Sequence, residues 1–238
     1  YTFDVLLNTV SDEYISFKYN IFKKTLKKFN ILSILDEFTH TCFKYECNLI
    51  PLDIKNIENQ ILEVRPDIFF CESVWKSYFS NLSLCDNNNI DIIKKIISLF
   101  KLNSIPTVFW NKEDDINYNR YINTAKMFDI VLTTDERCIP NYIKDTNNDN
   151  IYCLEFAAQP KIHNPLNNHR INDVFFAGKW YNNMKNRKLC IETLIDIPIF
   201  KKSIYKLDIY DRKYINDYKS FPLKYHKYLK KKLNYSTL

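Results

Sequence analysis

Carboxylate, amide and hydroxyl side chains follow four short apolar runs of this 238-residue chain. They form the segments Asp36–His40, Glu72–Trp75, Asn111–Asp114 and Thr134–Glu136. Carboxylates accept hydrogen bonds from hydroxyl groups, and a carboxylate held in a partly apolar pocket can act as a general base on a hydroxyl. The residue types in these segments therefore indicate a site for a hydroxyl-rich ligand.

Aromatic residues accompany these polar segments. Trp75 and Trp110 stand within or directly before them, and an aromatic face can stack on the apolar side of a sugar ring. Each residue also has a purely structural interpretation. An aspartate can cap a helix, Lys112 can pair with Glu113 or another carboxylate, and a tryptophan can belong to the core.

The apolar runs have the length of β-strands and alternate with longer segments of helical period, as is typical of β-α units that build a mostly parallel sheet. We predict strands at Ile31–Leu35, Asn48–Leu52, Asp67–Cys71, Thr107–Trp110, Ile130–Thr133 and Ile151–Phe156. We predict helices at Tyr14–Lys28, Ile54–Val64, Ile90–Leu102, Asn117–Phe128 and Ile139–Lys144. Asp114 and Asp115 are placed to cap the fourth of these helices. Since ligands of such sheets bind outside the carboxyl ends of the strands, we expect the polar segments to meet at one rim.

The fold class that this pattern predicts is α/β, with a Rossmann-like, doubly wound, mostly parallel sheet and a second α/β domain. A connector at Pro160–Asn172 is followed by a strand at Asp173–Ala177, a helix at Asn183–Ile195 and a strand at Lys206–Tyr210. We divide the chain into an N-terminal helical extension at 1–30, a Rossmann-like domain at 31–165 and the beginning of the second domain at 166–238. We expect the second domain to be truncated.

The bulk composition excludes several classes of protein. The net charge is +6, but the basic residues are spread along the chain, so nucleic-acid binding is not indicated. No apolar run approaches the roughly 18 to 20 residues of a membrane-spanning helix, and Tyr1–Val10 does not resemble a secretory signal. One basic cluster, Lys224–Lys232, is interpreted as a solvated helix face, with a peripheral contact to phospholipid or another polyanion as the alternative.

Cysteine and histidine usage indicates neither disulfides nor a metal site. The seven cysteines are an odd number and stand singly, which favours a reducing cytoplasm. The spacing of His163 and His169 matches no familiar metal site. We expect the thiols in or beside apolar segments to be buried and structural: Cys71, Cys138, Cys153 and Cys190.

The single glycine, Gly178, follows a predicted strand and precedes a predicted helix. At such a position the backbone can turn tightly and approach a phosphate, and a helix N-terminus favours an anion. The alternative is a turn that merely requires a positive φ angle. No G-x-G-x-x-G or P-loop pattern surrounds Gly178, so neither a nicotinamide nor a flavin fingerprint is indicated.

Several motifs, taken in order from about residue 31 to about residue 222, resemble those of the CgeB-like glycosyltransferases. They are Ile34–Thr39, Pro66–Asp67 with Glu72–Trp75, Phe109–Asp114, Phe128–Asp129 with Thr133–Asp135, Phe156–Pro160, His163–Pro165, Phe176–Gly178 and Ile209–Arg212. An ordered set of motifs over this span is far more specific than any single one of them.

This resemblance implies a GT-B enzyme, in which an N-terminal Rossmann-like domain holds the acceptor and a C-terminal domain holds a nucleotide-sugar across a cleft. The nucleotide-sugar is a co-substrate, and no cofactor or metal is implied. The catalytic base is implied to be one of four carboxylates: Asp36, Glu37, Glu72 and Asp114. The implied acceptor-binding residues are Thr39, His40, Trp75, Trp110, Asn111, Lys112, Glu113, Thr134 and Asp135. The implied donor-binding residues are His163, Asn164, Gly178, Lys179 and Arg187.

The chain departs from the family pattern in two places. Asp115 stands where a proline is expected, and the sequence ends at Leu238, before the later elements that grip the donor in such enzymes. We therefore expect this chain alone to be inactive or nearly so, and its parent to transfer a sugar to a carbohydrate or surface polymer. Two alternatives remain: a non-catalytic module that binds a glycan or a protein, and a sugar epimerase of the same fold.

Overall fold

In this computed structural model, the described residues are 29–165, 167, 169, 173–197, 206–211 and 220–230. The chain divides into two compact units, and the boundary falls between Asn164 and Pro165. The predicted helix at Tyr14–Lys28 lies outside the described residues, as does most of the predicted extension at 1–30.

The first unit contains a six-stranded sheet in which every neighbouring pair of strands is parallel. Its strands are β1 (Asn30–Ile34), β2 (Asn48–Pro51), β3 (Ile68–Glu72), β4 (Thr107–Asn111), β5 (Ile130–Thr133) and β6 (Ile151–Cys153). Its helices are α1 (Glu37–Phe43), α2 (Ile57–Val64), α3 (Ile90–Leu102), α4 (Tyr118–Ala125) and α5 (Ile139–Thr146). Short 3-10 helices occupy Cys85–Asn87 and Glu136–Cys138. The predicted α/β fold with a parallel, doubly wound sheet is confirmed.

Successive residues of each strand face opposite sides of the sheet, and both sides are covered. Phe69 and Phe109 belong to the larger core cluster, which includes buried residues of α3, α4 and α5. Phe70 and Trp110 belong to a smaller cluster on the other face, against which Phe43 of α1 packs. This period of two explains why consecutive large apolar residues are tolerated in one strand.

The strand order is β2-β1-β3-β4-β5-β6. From β1 the chain first moves outward to β2 and then returns to the other side of β1 to form β3. The point of reversal lies between β1 and β3. In open α/β sheets, the crevice outside the carboxyl ends of the strands at such a point is the usual place for a ligand.

Several element boundaries differ from the predicted ones. Helix α1 was not predicted, because it has only seven residues and its polar sequence carries no clear helical period. Strand β6 ends at Cys153 rather than Phe156, because its partner β5 ends at Thr133 and no edge remains to pair with. Helix α2 begins at Ile57, three residues later than predicted, since a turn from Asp53 to Asn56 precedes it.

The predicted capping of α4 by Asp114 and Asp115 is wrong. The residue at the cap position is Asn117, and its side chain makes no capping hydrogen bond. The Asp114 carboxylate instead accepts hydrogen bonds from side chains of β4, β5 and α5. A polar cluster at the sheet edge has therefore taken the place of a local cap.

The second unit contains the parallel sheet β7-β8-β9. Its described elements are β7 (Asp173–Gly178), α6 (Lys185–Ile195), β8 (Lys206–Asp211), a 3-10 helix at Leu223–Tyr228 and β9 (Leu229–Lys230). Its core is formed by Trp180, Ile191, Ile195, Leu207, Ile209, Phe221 and Tyr225. The described part of the Lys224–Lys232 cluster is thus a 3-10 helix with a short strand, not one helix face, and Lys224 lies 3.3 Å from the Glu192 carboxylate.

All seven cysteines are free thiols. Cys71 and Cys138 are buried, as expected, but Cys153 and Cys190 are exposed. Cys153 ends the edge strand β6, and Cys190 lies on an outward face of α6, so neither position is covered by another element.

Among the described residues, no helix combines the length and the hydropathy that crossing a bilayer requires.

Candidate functional site

Four side chains meet at the carboxyl ends of β1, β3 and β4, and we call them the lysine cluster: Asp36, Thr39, Glu72 and Lys112. The Lys112 ammonium lies 2.6 Å from Asp36 Oδ2 and 3.1 Å from Glu72 Oε1. It also donates to Thr39 Oγ1 at 2.9 Å. The cluster therefore lies at the point where the strand order reverses, which is the expected ligand position of this topology.

The local sequence explains this convergence. Because β1, β3 and β4 are adjacent and parallel, the residues that follow them emerge at the same edge of the sheet. Asp36 accepts a hydrogen bond from the backbone N–H of Thr39 and so caps α1, while its own N–H donates to Glu72 Oε1 at 2.5 Å. The N–H of Lys112 donates to the hydroxyl of Ser73, which fixes the start of the Lys112 loop against β3.

The two carboxylates of the cluster differ in their electrostatics. Glu72 is fully buried, and burial raises the pKa of its side chain to about 7 against the opposing charge of Lys112. Its Oε2 atom has no hydrogen-bond partner in the described part of the chain. Burial also acts to raise the pKa of Asp36, but the Lys112 charge and hydrogen bonds from Lys112 and Thr39 outweigh it and lower that pKa. Asp36 is thus a stable anion, whereas Glu72 can exchange a proton near neutral pH.

A second group, which we call the Asp114 network, lies on the other side of the end of β4 and contains Asn111, Asp114, Thr133 and Tyr142. Asp114 Oδ1 accepts from Asn111 Nδ2 at 2.7 Å. Asp114 Oδ2 accepts from Thr133 Oγ1 at 2.7 Å and from the Tyr142 hydroxyl at 2.9 Å. Asn111 and Thr133 are register partners at the ends of β4 and β5, so the sheet itself holds these donors in position.

Asp114 is half-buried, and its environment raises the pKa of its carboxyl group. Burial raises the pKa of Asp114 to about 6, although hydrogen bonds from Thr133 and Tyr142 oppose the shift. The nearby carboxylates of Asp135 and Asp115 raise it further. A carboxyl group with a pKa close to neutrality is ionised for most of the time at pH 7 and can still accept a proton, which suits a general base.

A cavity of about 210 Å³, which we call the aromatic cavity, lies between α1 and the segment that follows β6. Its lining includes Thr39, so it adjoins the lysine cluster. The lining residues are Phe38, Thr39, Cys42, Phe43, Glu46, Trp110 and 154–160.

The two tryptophans that the sequence offered as sugar platforms have different surroundings. Trp110 is almost completely buried, donates through Nε1 to the carbonyl of Leu154 and forms the floor of the aromatic cavity. Trp75 is half exposed, but it packs against α4, where the Arg120 guanidinium lies 5.2 Å from the ring centroid. Trp75 is therefore not among the residues that line the aromatic cavity.

The side chains of three of the remaining predicted acceptor residues contact neighbours outside the two clusters, although the backbones of Glu113 and Asp135 bond to Asn111 and Thr133. His40 packs against the rings of Tyr78 and Phe79, and burial together with the charge of Lys44 lowers its pKa. Glu113 accepts from the side chain of Asn117. Asp135 pairs with Arg137.

Thr134, the last predicted acceptor residue, contributes through its backbone, and the predicted base Glu37 bonds to neither cluster. The N–H of Thr134 donates to the carbonyl of Asn111. Glu37, predicted as a possible base, lies exposed in the first turn of α1. Of the predicted acceptor-side set, the structure thus gathers Asp36, Thr39, Glu72 and Lys112 into one cluster, with Asn111 and Asp114 in the other.

The residues assigned to donor binding fall in both units. In the first unit, His163 accepts through Nδ1 from the N–H of Gln159, and the side chain of Asn164 donates to the carbonyl of Pro160. In the second unit, Lys179 and Arg187 both lie over the ring of Tyr181, at 4.4 Å and 5.3 Å from its centroid.

Gly178 ends β7 with a φ angle outside the left-handed region. The interpretation of this glycine as a turn requiring positive φ is therefore wrong. A β-carbon at this position would lie 2.6 Å from Cζ of Phe176. The ring of Phe176 thus occupies the space that a side chain at position 178 would need.

Sequence reasoning did not find Tyr142, and it gave no role to Ser73, Thr133 and Gln159, which stand within its motifs. Thr133 and Ser73 stand at strand ends, so their positions offered a signal. Tyr142 lies in the middle of α5 and is brought to Asp114 only by the tertiary fold, so no local pattern could have identified it.

Within the described ranges, no group of three or more His, Cys, Asp or Glu side chains is arranged to hold a metal ion.

Comparison of the chain with protein-family models found no match, and none of the well-characterised protein sequences matches it either. The geometry of the two clusters and of the aromatic cavity therefore carries the functional argument.

Proposed function

We propose that the chain belongs to a glycosyltransferase whose first unit binds a carbohydrate or surface-polymer acceptor. The observation that carries the proposal is the pair of polar clusters on either side of the end of β4, at the edge where a doubly wound sheet binds ligands. Carboxylates and hydroxyls in this number suit a ligand rich in hydroxyl groups.

Asp114 is the carboxylate best suited to act as the base on the acceptor hydroxyl. Donors from Asn111, Thr133 and Tyr142 orient this carboxylate, and the Tyr142 hydroxyl lies within hydrogen-bond distance of both of its oxygens. Because Asp114 is only half-buried, an acceptor hydroxyl can still reach it. Asp36 is a weaker base because its pKa is lowered, and Glu72 is fully buried, so a substrate hydroxyl cannot reach it without a rearrangement.

In the second unit, Lys179 and Arg187 are proposed to bind the diphosphate of a nucleotide-sugar. Lys179 directly follows β7, and Arg187 lies in the first turn of α6, where backbone N–H groups and the helix dipole favour an anion. Both cations lie beside the ring of Tyr181.

This reaction would belong in a reducing cytoplasm, which is where seven free thiols persist.

Calorimetric titration of the complete protein that contains this chain with UDP-glucose, UDP-N-acetylglucosamine and GDP-mannose tests the donor half. We expect at least one of them to bind, and Arg187→Ala or Lys179→Ala to weaken it about tenfold, as expected for the loss of a charge-assisted contact. Lys206→Ala is the control, because Lys206 stands at the opposite, amino end of the parallel strand β8. Silence across the panel, or an equal loss in the control, would contradict the proposal.

The acceptor half is tested in the complete protein that contains this chain. Asp114→Asn should lower acceptor-dependent release of the nucleoside diphosphate roughly 10²- to 10⁴-fold while leaving donor binding intact. Exposed Asp145→Asn in α5 should leave the rate unchanged. Isomerised nucleotide-sugar without any acceptor would indicate the epimerase instead.

A second candidate function is a glycan-binding module without catalysis. It is favoured by the lysine cluster, in which the charged groups bond to one another and so form a fixed polar surface. A module of this kind would bind oligosaccharides while ignoring every nucleotide-sugar. The same titrations therefore distinguish the two candidates.

A further inference from the structure

The aromatic cavity combines a wall of rings with negative charge. Phe38 contacts Phe156 with ring centroids 6.4 Å apart, Phe156 contacts Trp110 at 5.5 Å, and Trp110 contacts Phe43 at 5.9 Å. The four rings are thus contiguous. Phe156 is 56% exposed, which is unusual for a phenylalanine that serves only the core.

The charged side chains in the lining are both carboxylates. Among the described lining residues, Glu46 and Glu155 are acidic and none is a lysine or arginine. Glu46 is held in place, because the nearly buried side chain of Gln159 donates to its Oε1 and to the carbonyl of Cys42, each at 2.8 Å. The cavity therefore offers ring faces and negative charge to the same ligand.

The charge of Lys112, which contacts the cavity wall, is already paired with other carboxylates. Lys112 contacts Thr39 in the cavity wall, but its ammonium pairs with the carboxylates of both Asp36 and Glu72. His163, whose ring lies 6.5 Å from that of Phe38, accepts a hydrogen bond through Nδ1 from the backbone N–H of Gln159.

We propose that the aromatic cavity binds a small quaternary ammonium group. The negative faces of aromatic rings attract a cation, and a cation whose charge is spread over methyl groups sheds its water easily and fits an apolar wall. The cavity volume of about 210 Å³ is below the roughly 300 to 1,000 Å³ of sites for drug-sized ligands. It thus suits a small molecule or one group of a larger one. This inference depends on the cavity alone and not on sugar transfer.

Choline and its uncharged isostere 3,3-dimethylbutan-1-ol provide the test, by calorimetric titration of the whole chain at constant ionic strength. The two probes have the same shape, so a difference in affinity reports the charge. We expect choline to bind about tenfold more tightly than the isostere. Equal affinities, or binding of neither probe, would overturn the proposal. Ethanolamine binding more tightly than choline would also overturn it, because a primary ammonium prefers hydrogen-bond acceptors to ring faces.

Paired variants separate the cavity from general effects on the protein. Phe156→Leu keeps an apolar side chain but removes the ring, and it should weaken choline binding about three- to fivefold. Phe79→Leu is the matched control, since Phe79 is 57% exposed and is not among the lining residues.

The carboxylate is tested in the same way. Glu46→Gln keeps the acceptor for Gln159 but removes the charge, and exposed Glu58→Gln in α2 serves as its control. The readout is the ratio of choline to isostere affinity, which a merely structural role of Phe156 or Glu46 would leave unchanged. An unchanged ratio in both cavity variants would overturn the proposal.

Discussion

The carboxylate of Glu72 is completely buried, and its Oε1 atom lies 3.1 Å from the ammonium of Lys112. The other oxygen, Oε2, has no hydrogen-bond partner among the described residues. A buried charge is tolerated only when it is paired, so the charged forms of Glu72 and Lys112 stabilise each other. Since the pKa of Glu72 is raised to about 7 by burial, folding and proton binding are coupled at this position.

Removing the cation of this pair should destabilise the fold. We expect Lys112→Met to lower the free energy of unfolding at pH 8 by about 3 kcal/mol. This value is the lower end of the range for breaking a buried ion pair, and we choose it because Asp36, the other partner of Lys112, is partly exposed. Urea unfolding followed by circular dichroism measures it. In the control, Lys101→Met removes an exposed pair with Asp129 and should cost less than about 1 kcal/mol. Equal losses in the two variants would show that Lys112 is not a buried partner.

The pH dependence of stability should report Glu72 directly. The pKa of Glu72 in the folded chain, about 7, lies above its ordinary value of 4.5. Between these values the folded state holds more protons than the unfolded state, so this group's contribution to the free energy of unfolding falls as the pH rises. The total loss between pH 4.5 and pH 8 is roughly 2 to 3 kcal/mol.

Glu72→Gln removes this contribution. The difference between the free energy of unfolding of this variant and that of the wild type should therefore increase by roughly 2 to 3 kcal/mol between pH 4.5 and pH 8. Urea unfolding at both pH values measures this difference. Asp114 has the same sign of shift, but it is present in both proteins and cancels in the difference. Exposed Glu58→Gln should show a difference that does not change with pH. A pH-independent difference for Glu72→Gln would mean that the carboxylate is not desolvated.

The regular elements were largely predictable from the sequence, because apolar periodicity reflects burial. Helix α3 and strand β5 match their predicted bounds residue for residue. Helix α1 could not be found in this way, since it is stabilised by the cap at Asp36 and by packing of Phe43 on Phe70. These are tertiary and terminal effects that do not produce a period.

The site was predictable in outline but not in its contacts. Parallel strands bring Asp36, Glu72 and Lys112 to one edge, and this convergence follows from the order of the elements. Their pairing into one buried cluster depends on the strand order, which places β1 directly beside β3 and which local patterns do not encode. Trp110 was expected at a cleft, but as a neighbour of Phe109 in a sheet with two covered faces it had to be buried on one of them.

The hydroxyl of Tyr142 should tune the acidity of Asp114. It donates to Asp114 Oδ2 at 2.9 Å, and a hydrogen bond to the ionised form lowers a carboxyl pKa. Tyr142→Phe should therefore raise the pKa of Asp114 above its present value of about 6, which a ¹³C NMR titration of the carboxyl group measures. The lost buried hydrogen bond should also cost about 1 kcal/mol of stability.

The control for this prediction lies in the preceding helix, α4. Tyr118 packs against the ring of Tyr142, but its hydroxyl donates to Asp145 rather than to Asp114. Tyr118→Phe should leave the pKa of Asp114 unchanged. A shift of the same size in both variants would attribute the effect to packing and not to the hydrogen bond.

Gly178 should be intolerant of a side chain for a reason that lies within β7. An added β-carbon would lie 2.6 Å from Cζ of Phe176, because residues two apart in a strand share a face. Gly178→Ala should therefore destabilise the second unit by about 1 to 3 kcal/mol, measured by hydrogen exchange of the β7 and β8 amides.

A second variant separates packing from ligand binding at this glycine. Phe176→Leu shortens the obstructing side chain, so the double variant Phe176→Leu/Gly178→Ala should recover most of the loss. Strictly additive losses would exclude the clash with Phe176 as the cause. If the backbone at Gly178 must also approach a diphosphate, the double variant will regain its stability without regaining affinity for the nucleotide-sugar. Recovery of both would show that this glycine serves packing alone, and that anion binding depends on Lys179 and Arg187.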